Sequence, residues 1–523
     1  MNDCSGHGTQ CAVVAASRRI KTKLYGTFPI TIEGAVSAVE LYSYKITWKY
    51  YNFIPDNFME AFKAAIRDEV DIISVSLSHP EKHDYYTTFI AHASFLAMKH
   101  GILTVAAGGN YGPLKETVRN FAPWMVTVGA STSEKTFRTR VKLGSIEVEG
   151  SSFNPFKTEL LPFEVFPTLK NSKPSPVVKA KLRELLEGCI VLCDTYQESR
   201  MAEKAGAKAT LYRERDKLPF ARSWKKFTAI WIPCEEAARI LHYTREKNKS
   251  GTQIMAKIFQ CMRVDNPNSF KVPHFSSRGP NPITKEILKP DLCAPGVEIC
   301  VPELRGQIVL LHGTSFACPH VAAKAGLIKR EFEKNGLKPL ASWIHSAIIT
   351  TAFSPDRKVA DVYSEGAGFI NFLEALDPGL VYACDEKEFV NFLVGQGYNK
   401  RSLRKIFEWN GDKTKAIKYC STKTKIQYSV DIPRNLTYVG STSSTYKAEV
   451  EIQTSTEGIE IEVEPKILDF TCKDRMQHFT VNVSVNQQLW TTEVVTAYLI
   501  WSEKEVKGSK HHIVRSPIVI IKK

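Results

Sequence analysis

Three polar residues lie far apart in the chain, and each stands at the end of a segment patterned as core structure. Ser315 lies in H-G-T-S-F-A-C-P-H-V-A-A, between a turn-forming Gly-Thr pair and a run of helix formers. His7 opens a second small-residue helix, and Asn110 follows an apolar strand in a Gly-rich turn. A hydroxyl nucleophile, a base and an amide donor are the groups that acyl transfer requires. Taken singly, the three have plainer interpretations as a helix cap, a turn histidine and a β-turn asparagine.

The helix after Ser315 is predicted from its own pattern. Val321, Ala325 and Ile328 recur at i, i+4 and i+7, which is the stripe of a helix that faces a core. We expect Pro319 in the first helical turn, where its missing N–H costs nothing. A hydroxyl at the mouth of such a helix lies in the positive end of the macrodipole, beside unpaired backbone N–H groups. This environment favours a nucleophile whose attack creates an oxyanion.

Together and in this order, the three segments resemble the subtilisin-like serine proteases, and most of all their plant cucumisin-like branch. Four further segments extend the resemblance along the chain, at 273–299, 364–382, 390–398 and 512–520. The resemblance implies peptide-bond hydrolysis through an acyl-enzyme on Ser315, with His7 as the base. It also implies that the Asn110 side-chain amide and the Ser315 backbone N–H hold the oxyanion.

The resemblance also implies a polypeptide substrate that lies extended between two short backbone segments. It assigns the first wall to Ser76, Leu77 and Ser78 and the second to Ala107, Gly108 and Gly109, with the peptide adding as a β-strand. The chain departs from the family at four places, where Gln10, the Phe316-Ala317 pair, Ser78 and Gly108 replace the usual residues. None of these changes removes a reacting atom, but Ser78 is expected to narrow or re-aim the pocket.

The family's catalytic aspartate has no counterpart among the residues given. Triads of this type run in the order Asp, His, Ser, and only Met1 to Gly6 precede His7. Asp3 is too close to His7 to be delivered by a separate strand. We therefore expect an N-terminally truncated family member, with the aspartate, a signal peptide and a propeptide encoded upstream, and expect the chain as written to be inactive or poorly folded. The alternative is a non-catalytic relative that binds peptides or cell-wall partners; a hydrolase with a G-x-S-x-G elbow is disfavoured, because Ser315 lacks one.

The order of patterns along the chain predicts an α/β fold with two additions. The first 130 residues alternate helix and strand with apolar strands, which indicates a subtilisin-like parallel sheet with helices on both faces. We assign 1–140 and 268–414 to the catalytic domain. By resemblance, 141–267 is a protease-associated insert linked to substrate access or to self-association as a homodimer. Alternating runs after residue 415 predict a fibronectin type III-like β-sandwich over 415–523.

Composition narrows the remaining function classes. The 523 residues carry a net charge of +15, spread along the chain as a solvated surface without a nucleic-acid motif. The sequence contains no run of 18 apolar residues, so no membrane span is predicted. The 12 cysteines lack metal-site pairing, no cofactor is predicted, and Cys189 and Cys193 are expected to be buried thiols.

Glycosylation is a further expectation, because the resemblance implies an extracellular protein of the plant apoplast or cell wall. Three N-x-S/T triplets begin at Asn248, Asn435 and Asn482. Asn482 alternates with apolar residues of a predicted strand, so its side chain is expected to face solvent. The first residues show no basic-then-apolar leader, so no signal peptide is recognised within the sequence itself.

Overall fold

A computed structural model describes most of the chain. The described residues are 3–26, 28–47, 55–78, 84–152, 157–167, 175–213, 227–355, 361–407, 427–453, 457–486, 488–490, 492–504 and 511–522.

The first part of the chain alternates helices and strands, as its pattern predicts. Its elements are α1 (His7–Ala16), β1 (Ile20–Leu24), β2 (Phe28–Ile32), α2 (Pro55–Arg67), β3 (Ile72–Val75), α3 (Phe89–Lys99), β4 (Leu103–Ala107) and β5 (Met125–Ser131). Helix α2 begins at Pro55 and buries Phe58 and Phe62 one turn apart. This spacing puts both rings on one face of the helix, toward the core.

A second group of elements forms its own closed sheet. It consists of β6 (Lys135–Leu143), β7 (Ile146–Ser151), β8 (Leu161–Val165), α4 (Pro176–Leu186), β9 (Ile190–Cys193), α5 (Tyr196–Lys204), β10 (Ala209–Tyr212), β11 (Thr228–Trp231), α6 (Cys234–Lys249), β12 (Met255–Ile258) and β13 (Met262–Asp265). The strands run in the order β12-β8-β9-β10-β11-β7-β6-β13, and β12 also pairs with β6. Cys189 and Cys193 are buried free thiols, as predicted.

The third group of elements packs with the first group and completes its parallel sheet. It contains β14 (Leu292–Pro295), β15 (Ile299–Pro302), β16 (Ile308–Leu311), α7 (Thr314–Lys334), α8 (Ala341–Thr350), α9 (Val362–Glu365) and α10 (Phe372–Ala375). Strand β14 completes a parallel sheet of order β14-β5-β4-β3. Strands β4 and β5 are buried along their whole length, as expected for a parallel sheet that is covered by helices on both faces.

The last group builds two antiparallel sheets. It comprises β17 (Leu380–Val381), α11 (Glu386–Gly395), α12 (Lys400–Phe407), β18 (Gln427–Tyr438), β19 (Ser444–Ile452), β20 (Ile459–Glu464), β21 (Ile467–Phe470), β22 (Met476–Asn486), β23 (Val494–Glu503) and β24 (Ile513–Ile521). One sheet has the order β17-β18-β22-β20 and the other β21-β19-β23-β24. Both contribute to one core around Phe479 and Trp501, whose rings meet edge to face at 5.1 Å. The predicted β-sandwich is confirmed.

Helix α7 is the element that positions the serine. It packs against β3, β4, β5 and β14 of the parallel sheet and against α1. The predicted stripe is correct, because Val321, Ala325 and Ile328 are all fully buried. The prediction for Pro319 is wrong. Because α7 begins at Thr314, Pro319 lies inside the helix rather than in its first turn, and Ser315 is already helical.

Candidate active site

Helix contact between α1 and α7 brings the predicted base and nucleophile to one place. Cys11, one turn after His7, donates through Sγ to the carbonyl oxygen of Ser315 at 3.4 Å. The same sulfur lies 4.0 Å from Nδ1 of His7. The rings of His7 and Phe316 are 6.2 Å apart. Residues 304 positions apart in sequence therefore form one cluster.

The hydroxyl of Ser315 is held by strand β3 rather than by the imidazole. Ser315 Oγ donates to the carbonyl oxygen of Ser76 at 3.2 Å, and Ser76 Oγ donates in return to the carbonyl oxygen of Ser315 at 2.7 Å. No hydrogen bond joins His7 to Ser315 within the part of the chain that the structure describes. Catalytic contacts are often long in a protein without substrate and tighten in the complex.

Asn110 reaches the same helix end from strand β4. Its Oδ1 accepts hydrogen bonds from the backbone N and from Oγ1 of Thr314, both at 3.0 Å. The side-chain amide nitrogen therefore points away from Thr314 and lies near Gly313, 3.6 Å from where a Cβ of that residue would stand. The three predicted catalytic residues thus surround the first turn of α7.

The charge state of His7 suits a base. Burial lowers the pKa of His7, and the nearby Asp3 carboxylate only partly opposes this. A lowered pKa keeps the imidazole neutral at physiological pH, so that it is able to accept a proton.

Asp3 does not orient this imidazole. Its Oδ1 accepts from the backbone N of Gly6 at 2.8 Å, and its Oδ2 accepts from the backbone N and Oγ1 of Thr9, both at 2.8 Å. Burial raises the pKa of Asp3, but these hydrogen bonds outweigh it and lower the pKa to about 2. Asp3 is thus an ionised cap of α1, and among the described residues no carboxylate bonds to either ring nitrogen of His7.

The two predicted substrate walls follow neighbouring strands. The first wall, Ser76–Leu77–Ser78, comes directly after β3, and the second, Ala107–Gly108–Gly109, comes at the end of β4. The carboxyl ends of parallel strands meet at one edge of a sheet, which is where sites form in such folds.

The second wall has already used its backbone hydrogen-bonding groups. Gly108 donates to the carbonyl of Val128 and accepts from the N–H of Arg119, both at 2.8 Å. Gly109 donates to Thr314 Oγ1 at 3.2 Å and accepts from the N–H of Ser277 at 3.0 Å. A peptide lying there would make van der Waals contact with Gly108 and Gly109 rather than hydrogen bonds to their backbone N–H and C=O groups.

Several residues around the site escaped sequence reasoning. Cys11 contacts His7, and Thr314 donates to Asn110. Ser76, predicted only as part of a substrate wall, also donates through its hydroxyl to the carbonyl oxygen of Ser315. The presence of Pro319 in the sequence could have indicated the contacts to the Ser315 carbonyl. Lacking an N–H, this proline leaves the carbonyl four residues earlier, that of Ser315, open to other donors.

Among the described residues, no group of three or more His, Cys, Asp or Glu side chains is arranged to hold a metal ion. Nor does the described part of the chain contain a helix with the length and apolarity needed to cross a membrane.

Comparison with known proteins defines the class to which this fold and site belong. The model of the Subtilase family matches residues 1–396, and that of a Fibronectin type-III domain matches residues 417–520. The chain is 32% identical over 558 residues to Subtilisin-like protease SBT4.4 of Arabidopsis thaliana, covering 99% of this chain and 73% of that protein. It is 31% identical over 560 residues to Subtilisin-like protease SBT4.12 of the same plant, with the same coverage.

The chain belongs to the subtilase family of serine endopeptidases, in its plant form with a fibronectin type III-like domain. The resemblance inferred from the motifs is confirmed.

Proposed function

We propose that this protein hydrolyses peptide bonds through an acyl-enzyme on Ser315. His7 takes the proton of the Ser315 hydroxyl and returns it to the leaving amine. The Asn110 amide nitrogen and the Ser315 backbone N–H bind the oxyanion; loss of one such donor costs roughly 2.7–4 kcal/mol in subtilisin. The observation that carries the proposal is the meeting of His7, Asn110 and Ser315 at the first turn of α7.

A rotation of the Ser315 side chain is part of this proposal. The Ser315 hydroxyl donates to the Ser76 carbonyl, so it must leave that acceptor before His7 is able to take its proton. When a substrate carbonyl lies between the walls, the Ser315 side chain rotates toward it, because attack requires Oγ to be aligned with the carbonyl carbon.

We propose that turnover is weak, on the basis of the described residues around His7. No described carboxylate bonds to Nδ1 of His7, and the Cys11 sulfur lies 4.0 Å from that nitrogen. Loss of the orienting carboxylate alone costs about 3 × 10⁴ in the kcat of subtilisin, against about 2 × 10⁶ for the serine or histidine. The same observation favours the alternative, a non-catalytic relative that binds peptides or cell-wall partners through the insert and the β-sandwich.

A fluorophosphonate probe separates the two functions, because it reacts with an activated serine hydroxyl. We expect labelling of the folded protein that disappears in Ser315→Ala and falls strongly in His7→Ala. The absence of labelling in a sample with a cooperative unfolding transition would favour the binding function.

The setting of the protein is also proposed from its family. An extracellular plant location would give the three N-x-S/T triplets access to glycosylation. Asn248 is the exposed member, whereas the amide of Asn482 donates to Asp431 at 2.5 Å and Asn435 bonds to His478 at 2.6 Å. Glycan attachment is therefore proposed first for Asn248. Insert 141–267 is proposed as a protease-associated domain that governs substrate access or homodimer formation.

A further inference from the structure

We infer that Asn120 is a positioning residue that fixes the separation of the two substrate walls. This inference rests on the proposed function, because it concerns how the same site holds a peptide. Asn120 precedes β5 and belongs to neither wall.

The side-chain amide of Asn120 makes one hydrogen bond to each wall. Its Nδ2 donates to the carbonyl oxygen of Leu77 at 2.7 Å and to that of Ala107 at 2.8 Å. An amide nitrogen carries two hydrogens, so both are used. Two acceptors on one nitrogen place the walls at a set spacing.

This bridge stands where the strand ladder stops. The pairing of β3 with β4 ends at Val75 opposite Ala106. Leu77 and Ala107 lie beyond that last pair, so the ladder between these two strands no longer ties the walls together. The Asn120 amide supplies the next connection between them.

Asn120 is itself held in place. Its side chain and backbone are buried to 7% exposure, and its backbone has φ of 54°. Asparagine tolerates this left-handed conformation better than most residues. Its carbonyl accepts from Thr127 Oγ1 at 2.6 Å, which anchors it to the central strand β5.

A fixed wall separation matters for an extended substrate. A peptide between the walls presents its scissile bond to Ser315 only when both contacts are made at once. A misplacement of about 1 Å is able to cost on the order of 10²-fold in rate. A small reagent that needs only the serine hydroxyl does not depend on the walls.

The test compares two reagents on three variants. Asn120→Gly removes the amide without straining the left-handed backbone, and Asn120→Asp keeps the shape but removes both donors. The matched control is Asn281→Asp, because Asn281 is also buried and its amide donates to Tyr85 Oη and to the Phe121 carbonyl, and to no residue of either wall. The reagents are an alkyl fluorophosphonate and a tripeptidyl diphenyl phosphonate.

In both Asn120 variants we expect labelling by the tripeptidyl phosphonate to slow by tenfold or more. Labelling by the alkyl fluorophosphonate should stay within about threefold of the parent. In Asn281→Asp the ratio of the two rates should not change. A parallel fall of both rates in the Asn120 variants would overturn the inference, since a general structural defect acts on both reagents.

Hydrogen exchange provides a readout that needs no activity. On a Ser315→Ala background, Asn120→Gly should raise the exchange of peptides covering residues 76–78 and 107–109, and Asn281→Asp should not. Unchanged exchange in both segments would overturn the inference. If neither reagent labels the parent protein, the proposed function fails, while the exchange result still decides whether Asn120 ties the walls.

Discussion

Pro319 lies four residues after Ser315 in α7 and leaves the carbonyl of that residue outside the helical hydrogen-bond ladder. In a regular helix, the N–H at position 319 would donate to the Ser315 carbonyl. Because proline has no N–H, this oxygen instead accepts from Ser76 Oγ at 2.7 Å and from Cys11 Sγ at 3.4 Å. Pro319 therefore removes one helical hydrogen bond and allows the Ser315 carbonyl to bond to Ser76, which follows β3, and to Cys11 of α1.

The first prediction concerns this connection. Pro319→Ala introduces an N–H that competes with Ser76 for the Ser315 carbonyl, so we expect slower fluorophosphonate labelling. Ser76→Ala should slow labelling too and lower the free energy of unfolding by about 1 kcal/mol, the usual value for one hydrogen bond. In the double variant the two effects on the labelling rate should not add, because both act on one acceptor. Additive effects in this double-mutant cycle would contradict the shared role.

The second prediction concerns the pH at which the base acts. Because burial lowers the pKa of His7, with partial opposition from Asp3, the labelling rate should reach half its maximum below pH 6.5 and stay high at neutral pH. Asp3→Asn removes the opposing charge and should shift this midpoint to still lower pH. The measurement is the labelling rate from pH 4.5 to 8.5. A midpoint above 7 would show that another group controls the reaction.

The third prediction concerns a buried ion pair at the start of β5, where Lys289 donates to the Met125 carbonyl and Asp291 accepts from the Thr127 N–H. Lys289 Nζ contacts Asp291 Oδ2 at 2.5 Å, with both side chains almost inaccessible to solvent. Burial lowers the pKa of Lys289; for Asp291, burial acts to raise it, but Lys289 and His345 lower the pKa to about 2. Asp291→Asn strands a buried cation and should destabilise the protein by about 3–5 kcal/mol.

Asp265 supplies the matched control for that substitution. It pairs with Lys135 on the surface, and its side chain is 89% exposed. Asp265→Asn should change the free energy of unfolding by no more than about 1 kcal/mol. Denaturant unfolding measures both variants, and equal losses would contradict the importance of burial.

The fourth prediction concerns the junction between the catalytic part and the β-sandwich. His512 Nε2 lies 2.9 Å from Asp377 Oδ2, and its Nδ1 lies 2.5 Å from Glu503 Oε2. The hydrogen bond to Asp377 acts most strongly; burial opposes it, and Glu503 adds to it, so the pKa of His512 is raised. A raised pKa gives stability that is complete below the unfolded value near 6.5 and lost as pH rises through the folded value.

We therefore expect the melting temperature to fall between pH 6 and 9 by more in the parent than in His512→Gln. His511→Gln, a change at the exposed neighbouring residue, is the control and should keep the parent's dependence. Identical pH profiles for the parent and His512→Gln would rule out this contribution. Differential scanning calorimetry or fluorimetry makes the measurement.

Local pattern was enough to place most elements near the site. The alternation of helices and apolar strands predicted for the first 130 residues appears in the structure as the order α2, β3, α3, β4 and β5. The exact ends of these elements do not follow from the pattern, because capping and register contribute little to a hydrophobic pattern. Pro319 was misplaced because the start of α7 is set by Gly313 and Thr314 packing on Asn110, which no local pattern records.

The sequence alone determined the fold class, the family and the three residues expected to react, because helix and strand periodicity and short motifs are properties of local order along the chain. Only the tertiary structure decided how those residues are engaged. It pairs Ser315 with Ser76 rather than with His7, makes Asp3 a helix cap, and gives Asn120 one bond to each wall. These contacts join residues from different elements, and their geometry follows from how α1, α7 and the parallel sheet pack together.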